Sequence, residues 1–250
     1  MNDAISVGGS DTGSELNLTK RVSLIGEWVD LPKSRVLDAG CGAGAFVDAM
    51  AQRGADAHGI EYVEEKISER QARYPGDTKV QHGDVEALAF PDNDFDAVLL
   101  NEVLEHVPND VKALAEVHRV TKPGGTLVIF SPNRFHPIET HGVYSRRTGE
   151  HLGQLRTLGV PYLPMSIGNR YLRYWSRNYW PSELMQMVRD AGFEIRYHGY
   201  VWQTFENISG SQPKWVGTMR VAMRRVAAVA ERTPVARRLG VSQLIVATRR

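Results

Sequence analysis

The sequence predicts an α/β fold: a mostly parallel sheet of seven strands with helices on both faces, interrupted by an inserted lid. Three observations predict it. Between residues 35 and 130, short apolar runs alternate with amphipathic ones, which is the pattern of βαβ units. The first apolar run leads into a glycine-rich turn that opens a helix. The alternation stops after Ser131 and resumes at Pro181.

Each element follows in order. Residues 1–17 are polar and rich in Gly and Ser at their start, with too little apolar content to order them. Leu18 to Leu31 has helical apolar spacing (Leu18, Val22, Leu24, Ile25, Trp28, Val29), and Pro32 stops it. Strands are expected at 35–39, 57–61, 79–83, 95–100 and 126–130. Helices between them are expected at 43–53, 63–74 and 110–121. The last two of these close on Pro75-Gly76 and Pro123-Gly124-Gly125. From 134 to 179 no period is sustained, and prolines, glycines and aromatics dominate. A structureless loop of that length does not suit a compact domain, so this segment reads as a lid with short helices. Pro181–Ala191 is then a helix with Pro at its first position and Gly192 just past its end. Strands at 193–200 and 242–248 flank an amphipathic helix, Trp215–Glu231. Its apolar side, including Trp215, Met219, Met223, Val226 and Val229, is expected to pack on the sheet or on a second subunit. The expected organisation is a core at 18–133, the lid at 134–179 and the rest of the core at 180–250.

Composition narrows the class. The 250 residues are 42% hydrophobic and 24% charged, as in soluble globular proteins. One cysteine excludes a disulfide framework and a cysteine-based zinc cluster. No apolar run is long enough to span a bilayer. The first residues lack the basic and apolar regions of a secretory signal, so a cytoplasmic location is expected. The net charge of +1 hides a strong asymmetry. Residues 1–125 carry 12 basic and 22 acidic side chains, and residues 126–250 carry 18 and 7. Such polarity steers ligands or builds an interface, or simply clothes a helical face with arginines.

The sharpest local signal is Val36-Leu37-Asp38-Ala39-Gly40-Cys41-Gly42-Ala43-Gly44. Glycines let the backbone turn tightly and approach a ligand, and the helix that follows offers free N–H groups. The same residues satisfy a loose dinucleotide pattern. Two further acids sharpen the reading. Glu61 ends the second strand, where a carboxylate accepts both hydroxyls of a ribose. Asp84 follows the third strand, where a carboxylate accepts from an adenine amine. Asp38 suits a cationic amino group and would repel a pyrophosphate. Three acids at the ends of three successive strands suit a ligand with an amine, a ribose and an adenine. Cys41 reads as a small neutral filler, since nothing near it in sequence marks a thiolate.

In these features the chain resembles the class I S-adenosylmethionine (SAM)-dependent methyltransferases, with their Rossmann-like sheet. The resemblance rests on VLDAGCGAG (36–44), the acid of GIEYVEEKI (59–67), GDVEALAFPDNDFDAVLLNEVLEHV (83–107), KPGGTLVIFSPN (122–133) and PSELMQMVRDAGF (181–193). It implies SAM as cofactor. The glycine loop (Gly40, Gly42, Gly44) and Asp38 would hold the methionine end. Glu61 would bind the ribose and Asp84 would lie by the adenine. Cys41, Tyr62, Val85 and Asn101 would complete the cofactor's surroundings.

The methyl acceptor is less marked. The fourth strand ends in Asn101-Glu102-Val103-Leu104-Glu105-His106, without the N/D-P-P-Y/F motif of many N-methyltransferases. A nucleic-acid acceptor is therefore not expected, although the basic second half keeps RNA methylation as an alternative. The lid opens with His136-Pro137-Ile138-Glu139-Thr140-His141. His141 is the expected general base, with Glu139 orienting it or holding Mg²⁺, and His106 is the alternative base. The lid's tyrosines, tryptophans and arginines suit a sugar or an aromatic ring, or pack the lid itself. The expectation is an O-methyltransferase for a hydroxylated small molecule or saccharide, acting as a homodimer. The glycine loop also admits a nicotinamide-dependent oxidoreductase or a non-catalytic SAM-binding protein.

Overall fold

The fold is that of a computed structural model, which describes residues 15–139, 143–152, 154–174, 176–202 and 214–250. Helix α1 spans Glu15–Gly26, so Glu15 to Asn17, expected in a disordered terminus, are helical. It also stops earlier than the apolar spacing suggests. Gly26 ends it, and Leu31–Lys33 forms a separate 3₁₀ turn with Pro32 near its start. Trp28 and Val29 hydrogen-bond back to Ile25 and carry the chain between the two.

Strands β1 (Arg35–Ala39), β2 (Asp56–Glu61), β3 (Val80–His82), β4 (Phe95–Asn101) and β5 (Thr121–Pro132) follow. Helices α2 (Ala45–Ala51), α3 (Glu64–Arg73) and α4 (Asp110–Val120) connect them. Helix α2 starts two residues later than expected because Gly44, at φ +85°, stands outside it as the cap.

The segment expected to form a lid differs from that expectation. Among its described residues it holds three short strands, β6 (Val143–Ser145), β7 (His151–Leu152) and β8 (Leu172–Tyr174). They form an antiparallel sheet in the order β7-β6-β8. One short helix, α5 (Met165–Tyr171), and two 3₁₀ turns accompany it. Val143 is buried at the middle of this sheet and pairs with Leu152 and Tyr174. The strands are too short to show period-two alternation in sequence.

After the lid come α6 (Pro181–Asp190), β9 (Phe193–Val201), α7 (Lys214–Arg232) and β10 (Ser242–Arg249). The seven-stranded sheet has the order β3-β2-β1-β4-β5-β10-β9, with β10 antiparallel to both neighbours. Alternation along the strands divides the core into two layers. Leu37, Val98, Leu100, Leu127, Ile129 and Ile245 face α4 and α6. Val36, Leu99, Val128, Phe130, Leu244 and Val246 face α1 and α2. The parallel strands all end at one edge, and β10 begins there, with Ser242 opposite Pro132.

Candidate functional site

The glycine loop leaves β1 at the common strand edge. Gly40, Gly42 and Gly44 all have positive φ, which a side chain would strain. A Cβ at Gly40 would stand 2.5 Å from Val103, so this position is filled from the β4 side. A Cβ at Gly42 would meet nothing within 4 Å, so the loop's open face is there. The amides of Gly40 and Cys41 both donate to the Ile60 carbonyl at 2.9 Å, tying the loop to β2.

Glu61 sits against that loop. Its carboxylate accepts from the Gly42 amide and from the Val63 amide, each at 2.8 Å. Asp38 lies behind the loop, 1% exposed, and its Oδ1 has no hydrogen-bond partner. Burial, reinforced by the Glu61 charge, pushes its pKa up to about 8. Burial also pushes the Cys41 thiol well up, which agrees with its reading as a neutral filler. Asp84 is exposed just past β3, and its Oδ1 accepts from the Glu86 amide at 2.8 Å. Val85 beside it is buried, whereas Tyr62 is exposed and stacks on His82. Asp38, the glycines and Glu61 thus form one constellation, with Asp84 and Asn101 at the ends of neighbouring strands.

A group with a ribose and a cationic amine fits these donors and acceptors. Glu61 offers a fixed carboxylate at the loop, Gly42 leaves backbone open to a ligand, and Asp38 holds an unpaired buried oxygen.

The end of β4 carries a network that spacing did not reveal. Arg21 of α1 donates to Asn101 Oδ1, to Glu102 at 2.7 Å and to Ser242 at 3.0 Å. Its guanidinium also lies over the Phe130 ring, 4.8 Å from the centroid. Ser242 in turn donates to Glu102 at 2.6 Å. Glu102 has φ +57°, a left-handed conformation rare for a residue of its type. Glu105 is buried beside it. Burial and the neighbouring carboxyl push the Glu105 pKa well above the usual range. Asn101 therefore uses its amide oxygen on Arg21, although it lines the strand end expected to face the cofactor. The two acids stand close in sequence as Glu102 and Glu105. Arg21 lies far upstream on α1, and no local pattern links it to them.

The lid is rooted on the same edge. Tyr179 donates to the Leu104 carbonyl at 2.9 Å and to Asp110 at 2.8 Å. Arg177 reaches Asp110 at 2.6 Å and the Val107 carbonyl at 2.5 Å. Of the expected catalytic residues, His141 lies outside the described residues. Glu139 is buried and accepts from Asn178. His106 is exposed, with its amide bonded to Val103. His136 donates from Nδ1 to the Leu239 carbonyl at 2.7 Å, and burial lowers its pKa. Among the described residues, no group of three or more His, Cys, Asp or Glu side chains is placed to hold a metal ion.

Residues 37–129 match the family model described as a methyltransferase domain. Over 180 residues the chain is 33% identical to the ubiquinone biosynthesis O-methyltransferase of Pseudomonas paraeruginosa, covering 70% of this chain and 71% of that one. The chain belongs to the class I SAM-dependent methyltransferases. Two solved SAM-dependent methyltransferases share its fold. That from Mesorhizobium loti has a TM-score of 0.57 and 16% identity, covering 91% of this chain and 96% of its own. That from Thermotoga maritima has a TM-score of 0.58 and 19% identity, with 93% and 89% covered. SAM is thus the methyl donor of this methyltransferase, and the nicotinamide reading of its glycine loop is set aside.

Proposed function

We propose that this methyltransferase acts on a hydroxyl group of a small molecule or saccharide. The observation that carries the reading is the 33% identity to an enzyme named for O-methylation. The β4 end supports it, since it presents two buried carboxyls in place of the N/D-P-P-Y/F motif. Exposed lid aromatics, among them Tyr162 and Tyr171, support a saccharide.

SAM supplies a methyl group already activated on a sulfonium, so the protein must align the acceptor and take its proton. Asp38 binds the donor's ammonium, and Glu61 binds its ribose while bracing the Gly42 amide. Asp84 lies by the adenine, with Tyr62 and Val85 flanking. His141 takes the hydroxyl proton, Glu139 assists and His106 is the alternative. We place the enzyme in the cytoplasm as a homodimer.

His141→Ala is expected to cut turnover by about 10²–10⁴-fold while SAM binding stays unchanged. Near-normal turnover would move the base to His106. A screen of hydroxylated acceptors with SAM, read by mass spectrometry, tests the acceptor class. Methyl ethers are the expected products, and methylation confined to RNA or to amines would contradict it. Activity lost on EDTA treatment and restored by Mg²⁺ would make Glu139 a metal ligand instead of an orienting group.

A further inference from the structure

Helix α7 and the 3₁₀ turn Ala236–Leu239 are rich in basic residues and supply no side chain to the network described above. Ala227 and Ala230 are buried, and Glu231 is tied to Lys20 and to the Trp202 amide. The outer side bears Val226 and Val229, 63% and 66% exposed, and continues into Val235 and Leu239 at 77% and 41%. Val226 and Val229, expected on the sheet or on a second subunit, therefore face away from the sheet. Interleaved with them are Arg225, Arg232, Arg237 and Arg238, all exposed and without an ion pair among the described residues. From Lys214 to Arg250 there are nine basic residues and one acid, Glu231, which is already paired.

The turn after α7 adjoins the end of β5. Asn133, which follows β5, donates to the carbonyls of Arg238 and Gly240 at 2.8 and 2.7 Å. His136 holds Leu239 in the same way. Next to them Phe135 is exposed, and its carbonyl accepts from exposed Tyr162 at 2.7 Å. Exposed apolar side chains from the C-terminal turn and from the lid thus flank the chain as it leaves β5.

We propose that α7 and the turn after it dock on an anionic lipid bilayer. Charge complementarity selects this occupant. Unpaired arginines with no free acid among them suit lipid phosphates, and the valines between them suit the headgroup boundary. A second copy on a two-fold axis would set arginine against arginine. Among the described side chains of α7 and its turn, the exposed apolar ones are valines, alanines and a leucine, so this face itself gives single-stranded RNA no aromatic platform, and Phe135 and Tyr162 lie only at its margin. No helix among the described residues is long and apolar enough to cross a membrane, so the contact is peripheral.

Vesicle co-sedimentation of the full chain tests this, and its readout needs no turnover. Binding is expected to phosphatidylcholine vesicles with about 30% phosphatidylglycerol, and to fall steeply without the anionic lipid or at about 0.5 M salt. Replacing Arg225, Arg232, Arg237 and Arg238 by serine should weaken it about 10³-fold. Val226→Ser with Val229→Ser should weaken it separately. Thermal protection by SAM should persist in both variants, showing that they fold. Equal binding by the wild type and the arginine variant, or no vesicle binding, would overturn the proposal. So would arginine substitutions that abolish only self-association or only polyuridylate binding.

Discussion

Asp38 is held where its charge is costly. Its raised pKa has a definite sign for stability. Between the unfolded value near 4 and about 8, the folded chain keeps a proton that the unfolded chain has lost. Stability should therefore fall as pH rises through that window, by up to about 1.4 kcal/mol per unit. Asp38→Asn should flatten this slope in denaturant titrations. An ammonium brought against Asp38 favours its ionised form. SAM affinity should thus rise with pH up to about 8 in the wild type and not in the variant. A pH-independent affinity would contradict the amine-binding role. Arg21 offers a second check. Arg21→Met leaves Glu102 buried and uncompensated, which costs about 3–5 kcal/mol, and adding Glu102→Gln should recover much of it. If the single and double variants unfold alike, the pair is not coupled. At this scale Asp38 and Glu61 were legible because each ends or occupies a strand beside the loop. Arg21 was not, because its partners are joined to it only by folding.

At the scale of elements, the glycine loop makes a prediction through its two environments. Gly40→Ala meets Val103 at 2.5 Å and should destabilise the apoprotein. Gly42→Ala meets nothing, and its left-handed backbone costs only about 1–2 kcal/mol. It should melt near the wild type yet lose much of its protection by SAM. Melting curves with and without SAM distinguish the two, and equal loss of protection with equal stability would mean the loop's two sides are not distinct. The alternation of strands and helices was legible because each core strand is buried and apolar. Boundaries were less so: Gly26 cuts α1 short, and the left-handed Gly44 delays α2. The lid's strands were not legible because two or three residues carry no period.

Across the whole molecule, the parallel strand order brings Asp38, Glu61, Asp84 and Asn101 to one edge, and α1 closes over it through Arg21. The lid is stitched to that edge through Arg177 and Tyr179. The charge asymmetry read from the sequence has a structural counterpart in the outer face of α7, which carries unpaired arginines. The central claim is that the loop-bracing carboxylate of Glu61 also holds the cofactor. Calorimetric titration of SAM into the wild type and Glu61→Ala tests it most directly. Charge-assisted hydrogen bonds contribute about 1.5–3 kcal/mol, so the variant should bind roughly 10- to 100-fold more weakly. Unchanged affinity in Glu61→Ala would contradict the account.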